Sequence, residues 1–255
     1  RPRGCSVMDD FRVAARAGSE SFLVLHLPLL GDLLAAFPAA DVIVGKTHLT
    51  SAVLRFFLDL PSGTDLTAIA QRVVFLADGP ERLAELIALA GDPRIGVTLR
   101  IAVEIDVGLR RSGLRVADGP DGLGPMLDTF LGATSVEFAG LFGYDGHIAY
   151  TPTASADGVR REWDVSTAMY RDFVDVLEMH PLYATLVRDE LIFHSGGTST
   201  FSRYSDPTMP TPVNDVATGG GALRPGEYPD YFLSELSPAI FVAAPVLRRY
   251  PATDV

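Results

Sequence analysis

Four short stretches of the chain combine residue types that can do chemistry. Glu104-Ile-Asp-Val-Gly-Leu-Arg-Arg-Ser-Gly113 leaves a long apolar run with carboxylates and guanidiniums close together. Charged groups at the end of a buried strand must be paired or must face a site, so this is a binding rim or a strand-end salt bridge. Gly143-Tyr-Asp-Gly-His147 follows another apolar run. A tyrosine and a histidine there can stack on a flat ligand, hydrogen-bond it or exchange protons with it. His194-Ser-Gly-Gly-Thr-Ser-Thr200 sets glycines beside hydroxyls, so that backbone amides can close around an anion while Ser and Thr add donors. Thr218-Gly-Gly-Gly221 is a second glycine-rich turn. Either glycine run alone reads as an ordinary flexible turn; as a pair late in the chain they fit a phosphate site.

The elements that must position these stretches alternate in type. Apolar runs at Ser21 to His26, Asp41 to Gly45, Arg72 to Leu76, Thr98 to Asp106, Val136 to Gly143, Leu191 to His194 and Ala239 to Pro245 read as strands. Between them, amphipathic stretches read as helices over Pro28 to Phe37, Leu49 to Leu60, from Asp78, over Gly124 to Gly132 and over Arg161 to Leu177. Asp78 is the expected cap of its helix, with Pro80 in the first turn and Glu81 complementing the dipole. Apolar runs that do not alternate are buried on both faces, and repeated strand–helix units give a parallel sheet with helices outside. Periodicity does not separate a closed barrel from an open doubly wound sheet. The recurrence of polar motifs at the ends of several different strands favours an α/β fold of the (β/α)8 TIM-like barrel type, where those ends meet at one mouth.

Composition narrows the function. The 255 residues are 47% hydrophobic and suit one large core. A net charge of −11, with no Lys/Arg cluster, argues against a nucleic-acid partner. No apolar run approaches the roughly 20 residues of a membrane span. The single cysteine, Cys5, excludes an internal disulfide and a cysteine-built zinc site, and suits a cytoplasmic protein. Walker, GxGxxG, HExxH and GxSxG motifs are missing.

Together the four stretches resemble the fold-type III pyridoxal-phosphate enzymes, the family of D-threonine aldolase and D-serine dehydratase within the alanine racemase N-terminal barrel superfamily. The resemblance rests on Asp106-Val-Gly-Leu-Arg-Arg-Ser-Gly113, Tyr144-Asp-Gly-His147, Ser195-Gly-Gly-Thr198, Asn214-Asp215 and Leu223-Arg-Pro-Gly-Glu-Tyr228, in order across most of the chain. It implies a lyase or racemase acting on a small D-amino acid through a Schiff base to pyridoxal 5'-phosphate, working as a homodimer. It also implies that Ser195, Gly196, Gly197 and Thr198, with Gly220 and Gly221, hold the phosphate. Tyr144 and His147 would lie by the ring or substrate, Arg111 near the phenolic oxygen or substrate carboxylate, and Asp106 on the cofactor side. The barrel would occupy residues 1–245, with 246–255 leading to a C-terminal β-domain. In the aldolases and dehydratases that domain would carry a divalent metal; none can be placed in this chain.

The resemblance needs a lysine, and Lys46 is the only one. It stands in Gly45-Lys-Thr-His48, which mimics the aldolase pattern. Strand counting points elsewhere: one strand separates Lys46 from the acidic strand where the family has three. The expectation is a barrel lacking its first strands, with the imine lysine at or before residues 1–6. Two alternatives stay open: a non-catalytic pyridoxal-phosphate carrier, and an unrelated phosphate-binding barrel.

Overall fold

The computed structural model describes residues 7–115, 122–150, 155–204, 206–224 and 236–239. Seven strands form one parallel sheet: β1 (Ser21–Val24), β2 (Asp41–Val44), β3 (Val73–Ala77), β4 (Leu99–Glu104), β5 (Val136–Tyr144), β6 (Ile192–Gly196) and β7 (Asp215–Val216). Their order in the sheet is their order in the chain, β1 to β7. A doubly wound sheet reverses its order at a switch point; this one never does. Ser21 on β1 and Asp215 on β7, the two edge strands, nevertheless line one cavity. The sheet therefore curls towards a barrel, although no ladder joins β7 to β1 among the described residues.

Eight α-helices occur among the described residues. They are α1 (Val7–Arg16), α2 (Leu27–Ala36), α3 (Thr50–Leu58), α4 (Leu66–Arg72), α5 (Pro80–Ala90), α6 (Leu123–Gly132), α7 (Ala156–Met179) and α8 (Phe201–Tyr204). The main core packs the outer sheet face against helix residues such as Leu30, Leu33, Leu83, Leu86, Leu127 and Phe173. A separate small cluster of Ile43, Val74, Leu76, Ala102, Ala139 and Phe142 fills the concave face. Two buried faces are why these strands read as continuous apolar runs.

Several expectations need correction. Asp78 does not cap α5: the N-cap is Gly79, with no side-chain cap. Pro80 and Glu81 do occupy the first turn. The side-chain cap falls instead at Asp65, which accepts from the Ala68 amide at the head of α4. That helix, α1 and α8 were not expected: α4 and α8 are too short for a clear period, and the polar composition of α1 hides an apolar face that does recur at helical spacing. β7 was read only as part of a motif, since two residues are too short for a strand pattern. The expected strand at Ala239 to Pro245 falls outside the described residues apart from Ala239. So do Cys5, residues 1–6, 225–228 and 246–255.

Candidate functional site

Because all strands run in parallel, their C-terminal ends share one rim. Tyr144 ends β5 and pairs in register with Gly196 of β6. Gly196 adopts φ +108°, and an added Cβ would meet Val216 at 2.7 Å, so glycine is required where the chain leaves the sheet. The next residue, Gly197, lies directly against this rim: its Cβ position is 3.5 Å from the Tyr144 ring and 3.2 Å from Asp145 Oδ1. The Thr200 and Phe201 amides bond back to the Gly197 carbonyl, closing a tight 196–200 turn. Among the described residues the amides of Thr198 and Ser199 have no protein acceptor. The Ser199 hydroxyl is likewise buried with no partner among the described residues.

The Ser195 hydroxyl turns away from this mouth. It donates to the Gly143 carbonyl at 2.5 Å and lies 3.0 Å from the Tyr204 hydroxyl. Asp145, fully buried, accepts from Thr200 at 2.9 Å and from Tyr204 at 2.7 Å. Burial pushes its pKa up, against those two hydrogen bonds. Tyr170 of α7 donates to the carbonyls of Leu141 and His194, pinning β5 to β6 just below the rim.

On the other side of Tyr144 stands the 104–113 stretch. Asp106 Oδ1 accepts the amides of Gly108 and Arg110, each at 2.9 Å, and the loop returns through reciprocal Asp106–Leu114 and Leu114–Glu104 backbone bonds. This fold-back delivers Arg111 over the Tyr144 ring, 5.3 Å from its centroid. The same guanidinium lies 3.6 Å from Glu104, which also accepts from Ser112 at 2.5 Å. Burial pushes the Glu104 pKa up, while Ser112 and Arg111 oppose the shift.

Gly108, at φ +121°, seats His147: a Cβ there would lie 2.7 Å from Nε2. Nε2 lies 3.3 Å from the Ser166 hydroxyl, and Nδ1 is buried with no partner among the described residues. Burial lowers the His147 pKa, against the carboxylates of Glu162 and Asp106, and so favours the neutral ring. His194, read from sequence only as the start of a glycine turn, is a further member. It stacks on Phe142 with ring centroids 4.5 Å apart and bonds Asp215 through Nδ1. Its Nε2 is buried and unpaired among the described residues.

Tyr144, His147, Arg111, Asp106, Gly196, Gly197 and Thr198 therefore gather on adjoining strand ends. Ser195 contributes scaffold rather than an available hydroxyl. Gly220 lies in the short 3-10 turn Gly220–Ala222, and Gly221 packs on Thr218 and Phe201, the first residue of α8. Lys46 is exposed at the end of β2 on the same rim, with only β3 between its strand and β4. Asp145, Tyr204, Ser166 and the His194–Asp215 pair were missed. Asp145 read as a spacer inside its motif, and Tyr204 had no motif at all.

The Thr198 and Ser199 amides and the Ser199 hydroxyl, unpaired among the described residues, together with an arginine over a tyrosine make a donor set suited to a phosphorylated aromatic ring, with two imidazoles beside it. Among the described residues no three metal-binding side chains converge, and no helix is long and apolar enough to cross a membrane.

No protein-family model matches the sequence, and no curated protein matches it. Solved structures do. The chain is similar to alanine racemase from E. faecalis at 15% identity and a TM-score of 0.62, covering 93% of this chain and 53% of that one. It is similar to D-threonine aldolase from Filomicrobium marinum at 15% and 0.62, covering 90% and 54%. For D-threo-3-hydroxyaspartate dehydratase from Delftia sp. HT23 the values are 16% and 0.65, covering 84% and 51%. The chain thus spans about half the length of these structures and shares the fold of their α/β barrel.

Proposed function

We propose that this chain is the cofactor-binding barrel of a pyridoxal-phosphate-dependent lyase or racemase acting on a small D-amino acid. The observation that carries the reading is the contact between Gly197 and Tyr144, which puts an anion-ready turn and an aromatic, cationic rim side by side. The fold shared with racemases, an aldolase and a dehydratase supports it.

Pyridoxal phosphate supplies an electron sink for charge developing at the substrate Cα. The residues of this chain do the rest. The amides of Thr198 and Ser199, with the Ser199 hydroxyl, would hold the phosphate; Gly196 and Gly197 would let the backbone approach it, with Gly220 and Gly221 behind the turn. Ser195 braces the turn through Gly143 and Tyr204. Tyr144 and Arg111 flank the ring or the substrate carboxylate, with Arg111 oriented by Glu104 and with Asp106 shaping its loop. His147, whose Nδ1 has no partner among the described residues, would be the group to take or give a proton. Lys46 is the amine this chain can offer the cofactor; a lysine elsewhere in the gene product is the other candidate. We further propose a homodimer and a cytoplasmic location.

Borohydride reduction in the presence of pyridoxal phosphate, followed by peptide mapping, tests the reading. A pyridoxyl group is expected on one lysine. A full-length product with no labelled lysine overturns it. Labelling without turnover of a panel of D-amino acids would leave a cofactor carrier.

A further inference from the structure

Beneath the 196–200 turn lies a carboxylate that no part of the proposed chemistry uses. Asp145 is fully buried, and the Gly197 backbone packs onto it, with the Cβ position 3.2 Å from Oδ1. Among the described residues no arginine, lysine or histidine forms an ion pair with it. The titratable groups facing it are Tyr204 from α8 and His194 from β6, the latter tied to Asp215 of β7. His147, two residues on, faces Gly108 and Ser166 instead. An anion on the turn would therefore sit close to a second, uncompensated negative charge, and two anions sharing a site cannot both stay ionised cheaply.

The hydrogen bonds around Asp145 offer a way out. With the carboxylate ionised, Thr200 and Tyr204 both donate to it. With Oδ2 protonated, Asp145 donates to the Tyr204 oxygen across the same 2.7 Å. Tyr204 then turns its hydrogen to Ser195 Oγ at 3.0 Å, and Ser195 keeps its bond to the Gly143 carbonyl at 2.5 Å. Thr200 still donates to Oδ1. Both states keep Asp145, Thr200, Tyr204 and Ser195 hydrogen-bonded, so changing state costs one hydroxyl rotation.

We infer that Asp145 takes up a proton when the 196–200 turn binds an anion, with Tyr204 and Ser195 as the relay that accommodates it. The inference rests on the proposed phosphate-binding role of the turn and deepens it. Burial already pushes the carboxyl pKa above its ordinary value, the direction that proton uptake requires. Asp145 is then a positioning residue that couples anion affinity to pH.

Isothermal titration of the 255-residue chain with sodium sulfate tests this across pH 5 to 9, in two buffers of different ionisation enthalpy. Sulfate takes up no proton in that range, so proton uptake reports the protein. The expected result is net uptake approaching one proton per sulfate, largely lost in Asp145→Asn. Sulfate affinity of the native chain should fall by about tenfold or more from acid to alkaline pH, with a shallower fall in the variant. Equal uptake in both proteins, or none in the native chain, overturns the inference while leaving the turn as an anion site. No sulfate binding at any pH overturns the role of the turn itself. If Asp145→Asn fails to fold, Thr200→Val takes its place: it removes a donor that favours the ionised state, so the free protein should already hold more of the proton and uptake should shrink. Unchanged uptake in that variant again overturns the inference.

Discussion

The two ends of the curled sheet differ in kind. At the N-terminal ends of the strands lies a cavity of about 510 Å³ lined by Asp41, Glu137, Asp189, Glu190 and Asp215, with Arg100 as its basic residue. Arg100 is already engaged there, 3.6 Å from Glu137 and bonded to the Gln71 carbonyl. The C-terminal ends hold amides and imidazole nitrogens that are unpaired among the described residues, and an arginine stacked on Tyr144. The acidic hollow and the unpaired donors thus fall at opposite ends. An acidic hollow repels a phosphate, whereas a tight turn of free amides attracts one. In parallel α/β barrels the active site belongs to the strand C-termini, and the polar atoms unpaired among the described residues agree with that rule.

The largest effect that would sharpen this contrast is expected from Gly197→Val. Its side chain would fill the gap between the turn, Tyr144 and Asp145, and pyridoxal-phosphate affinity should fall by about a hundredfold or more, equivalent to at least ~2.7 kcal/mol. Asp189→Ala, in the opposite hollow, should leave affinity within about twofold; spectrophotometric titration of both variants measures the difference. Next comes Gly196→Ala, which forces a side chain into φ +108° against Val216. A loss of about 1–3 kcal/mol in urea unfolding is expected, together with weakened cofactor binding.

Arginines at the two ends give a smaller comparison. Arg111→Ala should weaken cofactor binding by about tenfold, near 1.4 kcal/mol, by removing the cation over Tyr144. Arg100→Ala should cost no more than about 1 kcal/mol of stability and leave binding unchanged. Equal losses of binding at both ends would erase the distinction drawn here.

The smallest effect is a slope. Burial lowers the His147 pKa below its ordinary value, so the unfolded chain takes up this proton first as the pH falls. The His147 contribution is therefore present above about pH 6.5 and is lost progressively below it. Asp145 and Glu104, whose pKa values are raised, act oppositely: their contribution is fully present below about pH 4 and is lost as the pH rises through the folded-state values. Thermal melts of His147→Asn from pH 5 to 8 should show a smaller loss of stability on acidification than the native chain, by about 1 kcal/mol or less.

How much of this was legible in the sequence follows from range. Glycine turns, strand-end charges and apolar runs are local, so the barrel class, the Tyr144–His147 step and the 196–200 turn could be read directly. The fold-back that lays Arg111 on Tyr144 was half legible, because Asp106 and two glycines mark a turn without saying what it delivers. Contacts between distant segments left no mark. Tyr204 reaches Asp145 across 59 positions and Tyr170 reaches Leu141 across 29, and neither tyrosine sits in a motif. Ser195 shows the same limit: its place beside two glycines suggested a phosphate donor, and nothing local marks that strand alternation turns its hydroxyl to the helix side, onto Gly143 and Tyr204. Asp78 failed as a cap for a similar reason, since an acid before Gly-Pro is one residue too early.

The central claim is that the strand C-terminal rim, not the acidic hollow, grips a phosphorylated ring. A crystal structure of the chain grown with pyridoxal phosphate tests it most directly. The account predicts the phosphate on the amides of Thr198 and Ser199 with the ring beside Tyr144. A phosphate bound instead among Asp41, Arg100 and Glu137, with the turn vacant, would contradict it.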